Sequence, residues 1–199
     1  MNNVMLDLET MGNGPRAAIV SIGAVFFDPL TGELGAEFEA HIDLRDSAKF
    51  GEIDPDTVLW WLGQSDEARA AVTESKYRDA GETGRLQLTE ALLDFCDWID
   101  GHSQKVTAVW GNGAGFDNVI LANAYRTLDI DTPWQFWQDR DVRTIVDLGR
   151  TLFGFDPKKE QPFDGIAHTA LADAKHQARY VSTIYQRLAT ASKGVMHEN

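Results

Sequence analysis

Near the start of the chain the apolar run Val4-Met5-Leu6 leads straight into Asp7-Leu8-Glu9-Thr10. The run reads as a first strand, and in a strand the side chains at i and i+2 point the same way. Asp7 and Glu9 are therefore neighbours on one face, near the end of a strand apolar enough to be central in a sheet. Two carboxylates held together in apolar surroundings repel each other and lose hydration. No Lys or Arg lies between Met1 and Pro15 to pair with them. A solvated strand end is the plain explanation. A divalent ion is the sharper one, because hard cations such as Mg²⁺ take carboxylate oxygens.

The elements that follow point to an α/β fold. Ile19 to Asp28 is β-branched and aromatic and reads as a second strand. The turn Pro29-Leu30-Thr31-Gly32 leads to a third over Leu34 to Ile42, so the connections make an antiparallel meander. Residues 43–52 are polar and irregular. Asp54 caps a helix with Pro55 in its first position, and Trp60 and Trp61 lie inside it. Ser65 caps a second short helix to Val72, and residues 73–85 read as a polar loop. Thr89 to Asp100 has helical spacing, Lys105 to Trp110 reads as a fourth strand, and the turn 111–115 opens a helix over Phe116 to Leu128. A short fifth strand is expected at Val142 to Ile145, then a helix to Phe153, a loop over 154–167 and a long helix from Thr169 to Ala189. The tail from Ser192 is expected to fray.

A chain of 199 residues suits one domain spanning 1–199. A single cysteine, Cys96, allows no internal disulfide. With no secretory signal and no apolar run near ~20 residues, the expectation is a cytoplasmic protein without a membrane span. The net charge of −13 argues against gripping long duplexes by phosphate neutralisation. It leaves room for an enzyme that holds a few nucleotides against bound metal ions.

Two further stretches carry chemistry. Asp117 falls in the first turn of its helix, on a face shared with Ile120, Leu121, Ala124 and Leu128. Favouring the helix N-terminus is one role for such an acid. The glycines of Gly111-Asn112-Gly113-Ala114-Gly115 let backbone approach a ligand, but the run lacks the Lys-Ser/Thr ending of a phosphate-binding P-loop. His168 and Asp173 open the last helix, and five residues correspond to about 140° of rotation. His168 therefore belongs at the loop–helix junction, with Asp173 in the helix. Taken together, four acids and a histidine from three elements fit the two-metal pattern for attack on a phosphodiester, in which a histidine can take the proton of the attacking water.

Asp7-Leu8-Glu9, Phe116-Asp117 and His168-Thr169-Ala170-Leu171-Ala172-Asp173 resemble the motifs of the DnaQ-like (DEDDh) 3′–5′ exonucleases, in order and spacing over nearly the whole chain. The resemblance implies a ribonuclease H-like fold, a five-stranded mixed sheet flanked by helices. It implies Asp7, Glu9, Asp117 and Asp173 as ligands of two divalent ions, Mg²⁺ or Mn²⁺, and His168 as general base. It further implies release of nucleoside 5′-monophosphates from the 3′ end of a single-stranded nucleic acid. Trp60-Trp61, Trp110-Gly111-Asn112-Gly113 and Phe116-Asp117-Asn118-Val119-Ile120-Leu121 are similar to the subfamily of small bacterial and phage exoribonucleases and exonuclease-VIII-like proteins. One departure is Gly115, where the family has a polar residue before the Phe-Asp pair. Thr10, Met11, Asn112, Phe116 and Trp61 are the expected substrate-binding residues. Either tryptophan could instead be core.

Two other readings share these residues: a phosphoesterase of short oligonucleotides or dinucleotides, and a silent nucleic-acid-binding module. RNA is favoured over DNA, although recognition of the 2′-OH depends on pocket geometry. Lys158 and Lys159, just before His168, are among the few clustered positive charges. A homodimer is also expected. Trp60, Trp61, Trp134 and Trp137 fall outside the clearest core runs, aromatics are enriched at interfaces, and Arg140 and Arg143 could pair across one.

Overall fold

In the computed structural model, which describes residues 1–73, 84–103, 105–165 and 168–195, a five-stranded sheet carries the strand order β3-β2-β1-β4-β5. Strand β1 (Asn3–Thr10) pairs antiparallel with β2 (Ile19–Phe27), and β2 with β3 (Leu34–His41). On its other edge β1 runs parallel to β4 (Ala108–Gly111), and β4 parallel to β5 (Asp139–Asp141). The mixed sheet, meander plus parallel strands, is the expected one, with β1 at its centre.

Alternation along β1 assigns its two faces. Val4, Leu6 and Leu8 enter a core built with α4 (Leu88–His102) and α5 (Asp117–Thr127). Met5 points the other way, into a core with α6 (Val142–Phe153) and α8 (Ala170–Val195). By the same period of two, Asp7 and Glu9 continue the Met5 face, under α8. A third cluster joins Met11, Ala18 and Val20 to Trp61 of α2 (Pro55–Leu62) and to Ala68 and Val72 of α3 (Asp66–Thr73).

The fifth strand is not where it was expected. Val142 to Ile145 is the first turn of α6, and β5 is the preceding Asp139–Asp141. The β-branched residues misled, because Val142, Val146 and Gly149 are buried at helical spacing. Asp141 marks the start, accepting the Thr144 N–H at 2.7 Å. An edge strand of Asp-Arg-Asp gives no apolar signal. Residues 43–52 contain a short α1 (Leu44–Ser47) capped by Asp43, and 154–165 a short α7 (Pro157–Glu160). In α7 Lys159 sits 3.6 Å from Asp156, and the Lys158 side chain lies outside the described residues. Helix α8 continues past Ala189 to Val195. Most of the polar segment 73–85, and the tail from 196, also lie outside the described residues.

Four of the six tryptophans, Trp61, Trp98, Trp110 and Trp134, are core residues, and the exposed pair is Trp60 and Trp137. Among the described residues no helix is long and apolar enough to cross a membrane.

Candidate active site

Asp7 and Glu9 reach the open end of the sheet from β1, and Asp173 comes down on them from the first turn of α8. One carboxylate oxygen from each of the three lies within 4.8 Å of the others. This convergence depends on Gly23 in β2, the residue paired with Asp7 in the ladder. A Cβ there would stand 2.1 Å from the Ala170 carbonyl carbon and 2.1 Å from the Leu171 nitrogen. Bare backbone at Gly23 is what lets the start of α8 seat directly on the sheet.

Asp117 arrives from the opposite side. Its Oδ1 accepts the Leu8 N–H, the peptide between the two β1 acids, at 3.2 Å. Asn118 fixes the start of α5, donating from Nδ2 to the Val109 carbonyl at 3.0 Å and to Asp139 Oδ1 at 2.8 Å. Gly111 leaves the room, since a Cβ on it would lie 3.2 Å from Asp117 Oδ2 and 2.3 Å from Asn118 Oδ1. The four acids expected to act together are thus neighbours, three of them within joint reach of one ion.

Their electrostatics follow from burial and mutual repulsion. Burial, then Asp117, Glu9 and Asp173, push Asp7 well above the carboxylate range, against a hydrogen bond donated by Gln177. Burial, then Asp173 and Asp117, push Glu9 up to about 8. Burial raises Asp117 to about 7, although the N–H groups of Leu8 and Asn112 and the charge of Arg143 oppose it. Burial also raises Asp173, against the hydrogen bond from the His168 N–H. Oxygen donors this crowded favour either protons or a hard divalent cation. The donor set therefore fits Mg²⁺ or Mn²⁺, with Asp7, Glu9 and Asp173 able to share one ion and Asp117 beside them.

His168 stands at the loop–helix junction, as expected. Its φ of 64° is in the left-handed region, which non-glycine residues occupy at a cost of order 1–3 kcal/mol. Its N–H donates to Asp173 Oδ2 at 2.9 Å. The Trp60 ring meets the imidazole edge to face, with centroids 5.2 Å apart.

The expected substrate residues divide. Trp61, 4% exposed, packs in the third cluster and donates its indole N–H to the Thr10 carbonyl at 3.0 Å. It therefore holds the end of β1, and the exposed ring is its neighbour Trp60, at 46%. Thr10 and Met11 are buried where the strand ends, with Thr10 Oγ1 donating to the Gly12 carbonyl at 2.6 Å. Phe116 is half-buried against the first core, and Asn112 lines a cavity on the α6 side. Gln177 was not anticipated. Its Nε2 donates to Asp7 Oδ1 at 2.8 Å, while its Oε1 is buried without a partner. The available signal was its position four residues after Asp173, on the same face of α8.

Residues 2–185 match the domain family described as 3′-5′ exoribonuclease Rv2179c-like. The chain belongs to this family. It is a DnaQ-like 3′–5′ exonuclease, a hydrolase of phosphodiester bonds. It is similar to the exodeoxyribonuclease of Enterobacteria phage T4, 26% identical over 170 residues covering 74% of this chain and 71% of the phage protein. Among solved structures it resembles the nuclease domain of 3′hExo, a DEDDh family member bound to rAMP. There the TM-score is 0.59 at 14% identity, over 93% of this chain and 92% of that one. Pop2p of S. pombe, in its Mg²⁺- and Mn²⁺-bound form, has a TM-score of 0.54 at 16% identity, over 94% and 83%. At these identities the structural likeness concerns the fold, and the ribonuclease H-like architecture of this exonuclease agrees with it.

Proposed function

We propose that this exonuclease is metal-dependent and removes nucleotides one at a time from the 3′ end of a single strand, releasing nucleoside 5′-monophosphates. The observation that carries the reading is the convergence of Asp7, Glu9 and Asp173 within 4.8 Å, with Asp117 bonded to the peptide between the first two. In this reading these four carboxylates hold two divalent ions. Such ions, when bound, polarise the phosphodiester and offset charge on the attacking and leaving oxygens. The structure of Pop2p in its Mg²⁺- and Mn²⁺-bound form lends the same support.

His168 takes the proton from water as its oxygen attacks phosphorus. The bond from phosphorus to the 3′-oxygen of the penultimate nucleotide breaks, and that oxygen leaves with the shortened strand. The Asp173 contact to the His168 N–H fixes the backbone from which the imidazole reaches the water. Trp60, exposed beside His168, offers a ring face on which a terminal base can stack. In the same reading Thr10, Met11, Asn112 and Phe116 contribute to binding the terminal nucleotide.

RNA is the favoured substrate, in line with the family description, while the phage relative is called an exodeoxyribonuclease. Matched single-stranded RNA and DNA oligonucleotides with Mg²⁺ or Mn²⁺ test this. Faster shortening of RNA supports the preference, and equal or faster shortening of DNA removes it. A cytoplasmic homodimer is part of the same reading. Phe136 and Trp137, adjacent and 80% and 63% exposed, give a second copy apolar area to cover. Light scattering showing a mass near the 22.1 kDa of one chain, unchanged on tenfold concentration, sinks the dimer.

A further inference from the structure

Beside the acidic cluster lies a cavity of about 300 Å³, lined by Asn112, Arg143, Val146, Arg150, Pro157 and Tyr180. Several other cations of this acidic chain are held by a carboxylate. Arg16 sits on Glu52, Lys49 on Asp46, Lys175 on Glu37 and Arg179 on Asp164. Arg143, among the described residues, has neither an ion pair nor a hydrogen bond. The acids whose charge it feels are already engaged. Asp117 accepts the Leu8 N–H, and Asp141 accepts the N–H groups of Ala114 and Thr144. Arg150 also lines the cavity, and its Nη2 donates to Asp156 Oδ1 at 3.1 Å.

The 111–115 turn accounts for how Arg143 lies. Gly113 has φ of 106°, and a Cβ on it would stand 3.0 Å from the Arg143 guanidinium carbon. The guanidinium is therefore laid against the backbone of the turn that also delivers Asn112 and Asp117. Tyr180 forms the wall between the two regions, within electrostatic reach of Asp7 and Asp173 on one side and of Arg143 and Arg150 on the other. A cavity lined by two arginines thus lies beside the negative centre, with Tyr180 near both.

We propose that this cavity holds a backbone phosphate of the single-stranded substrate, one that lies 5′ to the bond cleaved, on the guanidinium groups of Arg143 and Arg150. Guanidinium forks match the non-bridging oxygens of a phosphate. The scissile phosphate belongs against the carboxylates, across Tyr180. A strand ending in a free 3′-hydroxyl has no phosphate beyond the scissile one except those toward its 5′ end, so the cavity's occupant is one of these. The assignment rests on the exonuclease site proposed above. It also explains how a chain of net charge −13 holds a polyanion: the positive charge is placed at one phosphate and not spread over a surface.

The test measures binding separately from cleavage. Asp7→Asn, which stops hydrolysis while keeping the shape of the side chain, is titrated against 5′-fluorescein single strands and followed by anisotropy. In each strand one phosphate is replaced by an uncharged methylphosphonate, stepping from the scissile position toward the 5′ end. The expected result is one upstream position where the replacement weakens binding roughly tenfold or more. At that position Asp7→Asn/Arg143→Gln shows no further loss, and Asp7→Asn/Arg143→Lys shows a partial one. Uniform small losses along the strand, or a full loss at the same position in the Arg143→Gln background, overturn the assignment. So does competition by inorganic phosphate without any position effect, which would make the cavity a site for the free anion. Cleavage of the unmodified strand by the wild-type protein is scored independently. If cleavage occurs and the scan is flat, the cavity assignment alone fails. If the scan finds its position and cleavage is absent, the exonuclease site fails.

Discussion

Gly23 lies directly opposite Asp7 in the β1–β2 ladder, at the point where the backbone of Ala170 and Leu171 comes down on the sheet. The spacing between the Asp7 and Asp173 carboxylates is therefore set by a residue that carries no chemistry. Gly23→Ala should push the start of α8 away and cost about 1–3 kcal/mol in stability. It should also weaken divalent-ion binding while leaving every carboxylate in place. Thermal melts with and without Mn²⁺ check this: the variant should gain less from the ion than the wild type. An equal gain would mean that α8 does not set the spacing.

In the metal-free protein the crowded acids make stability depend on pH. Glu9 is pushed up to about 8 and Asp117 to about 7, from ordinary values of 4.5 and 3.8. The folded state therefore binds more protons than the unfolded chain between roughly pH 4 and pH 8. The stabilisation is fully present below that window and is lost as pH rises through it. Melting temperature in EDTA should fall from pH 5 to pH 8, and a divalent ion at pH 8 should restore it, with protons released on binding. A melting temperature that rises across the window, or that ignores the ion, would count against the cluster.

His168→Ala should slow turnover by roughly 10²–10⁴-fold, the usual worth of a positioned base. Calorimetric affinity for the divalent ion should persist, because the carboxylates remain. Loss of metal as complete as in Asp7→Ala would move His168 into the ligand set.

Trp60→Ala and Trp61→Ala should separate. Loss of a stacked base costs about 1–3 kcal/mol, so Trp60→Ala should raise KM with the fold intact. Trp61→Ala should lower the melting temperature by opening the cluster around Met11 and Val20 and by freeing the Thr10 carbonyl. A stable Trp61→Ala with raised KM would reverse the two roles.

Much of this was legible in the chain. Period-two alternation put Asp7 and Glu9 on one face, and the caps at Asp54 and Ser65 started the right helices. What escaped detection has a physical reason in each case. Strand β5 is three polar edge residues, and the apolar residues after it serve a helix. Gln177 acts through a hydrogen bond that only the packing of α8 on β1 creates. Gly23, inside an apolar strand, gives no sign of the backbone that crosses it. The tryptophan pair could be divided between core and surface only once the direction of α2 against β1 was known.

The central claim is that the Asp7, Glu9, Asp117 and Asp173 carboxylates work through divalent ions to remove 3′-terminal nucleotides. The most direct measurement follows a 5′-labelled single-stranded oligonucleotide with Mn²⁺, with excess EDTA, and with each carboxylate changed to Ala. The account predicts a ladder shortening from the 3′ end, release of 5′-monophosphates, and no ladder with EDTA or with any of the four variants. Full activity in excess EDTA, or a wild-type rate for any two variants, would contradict it.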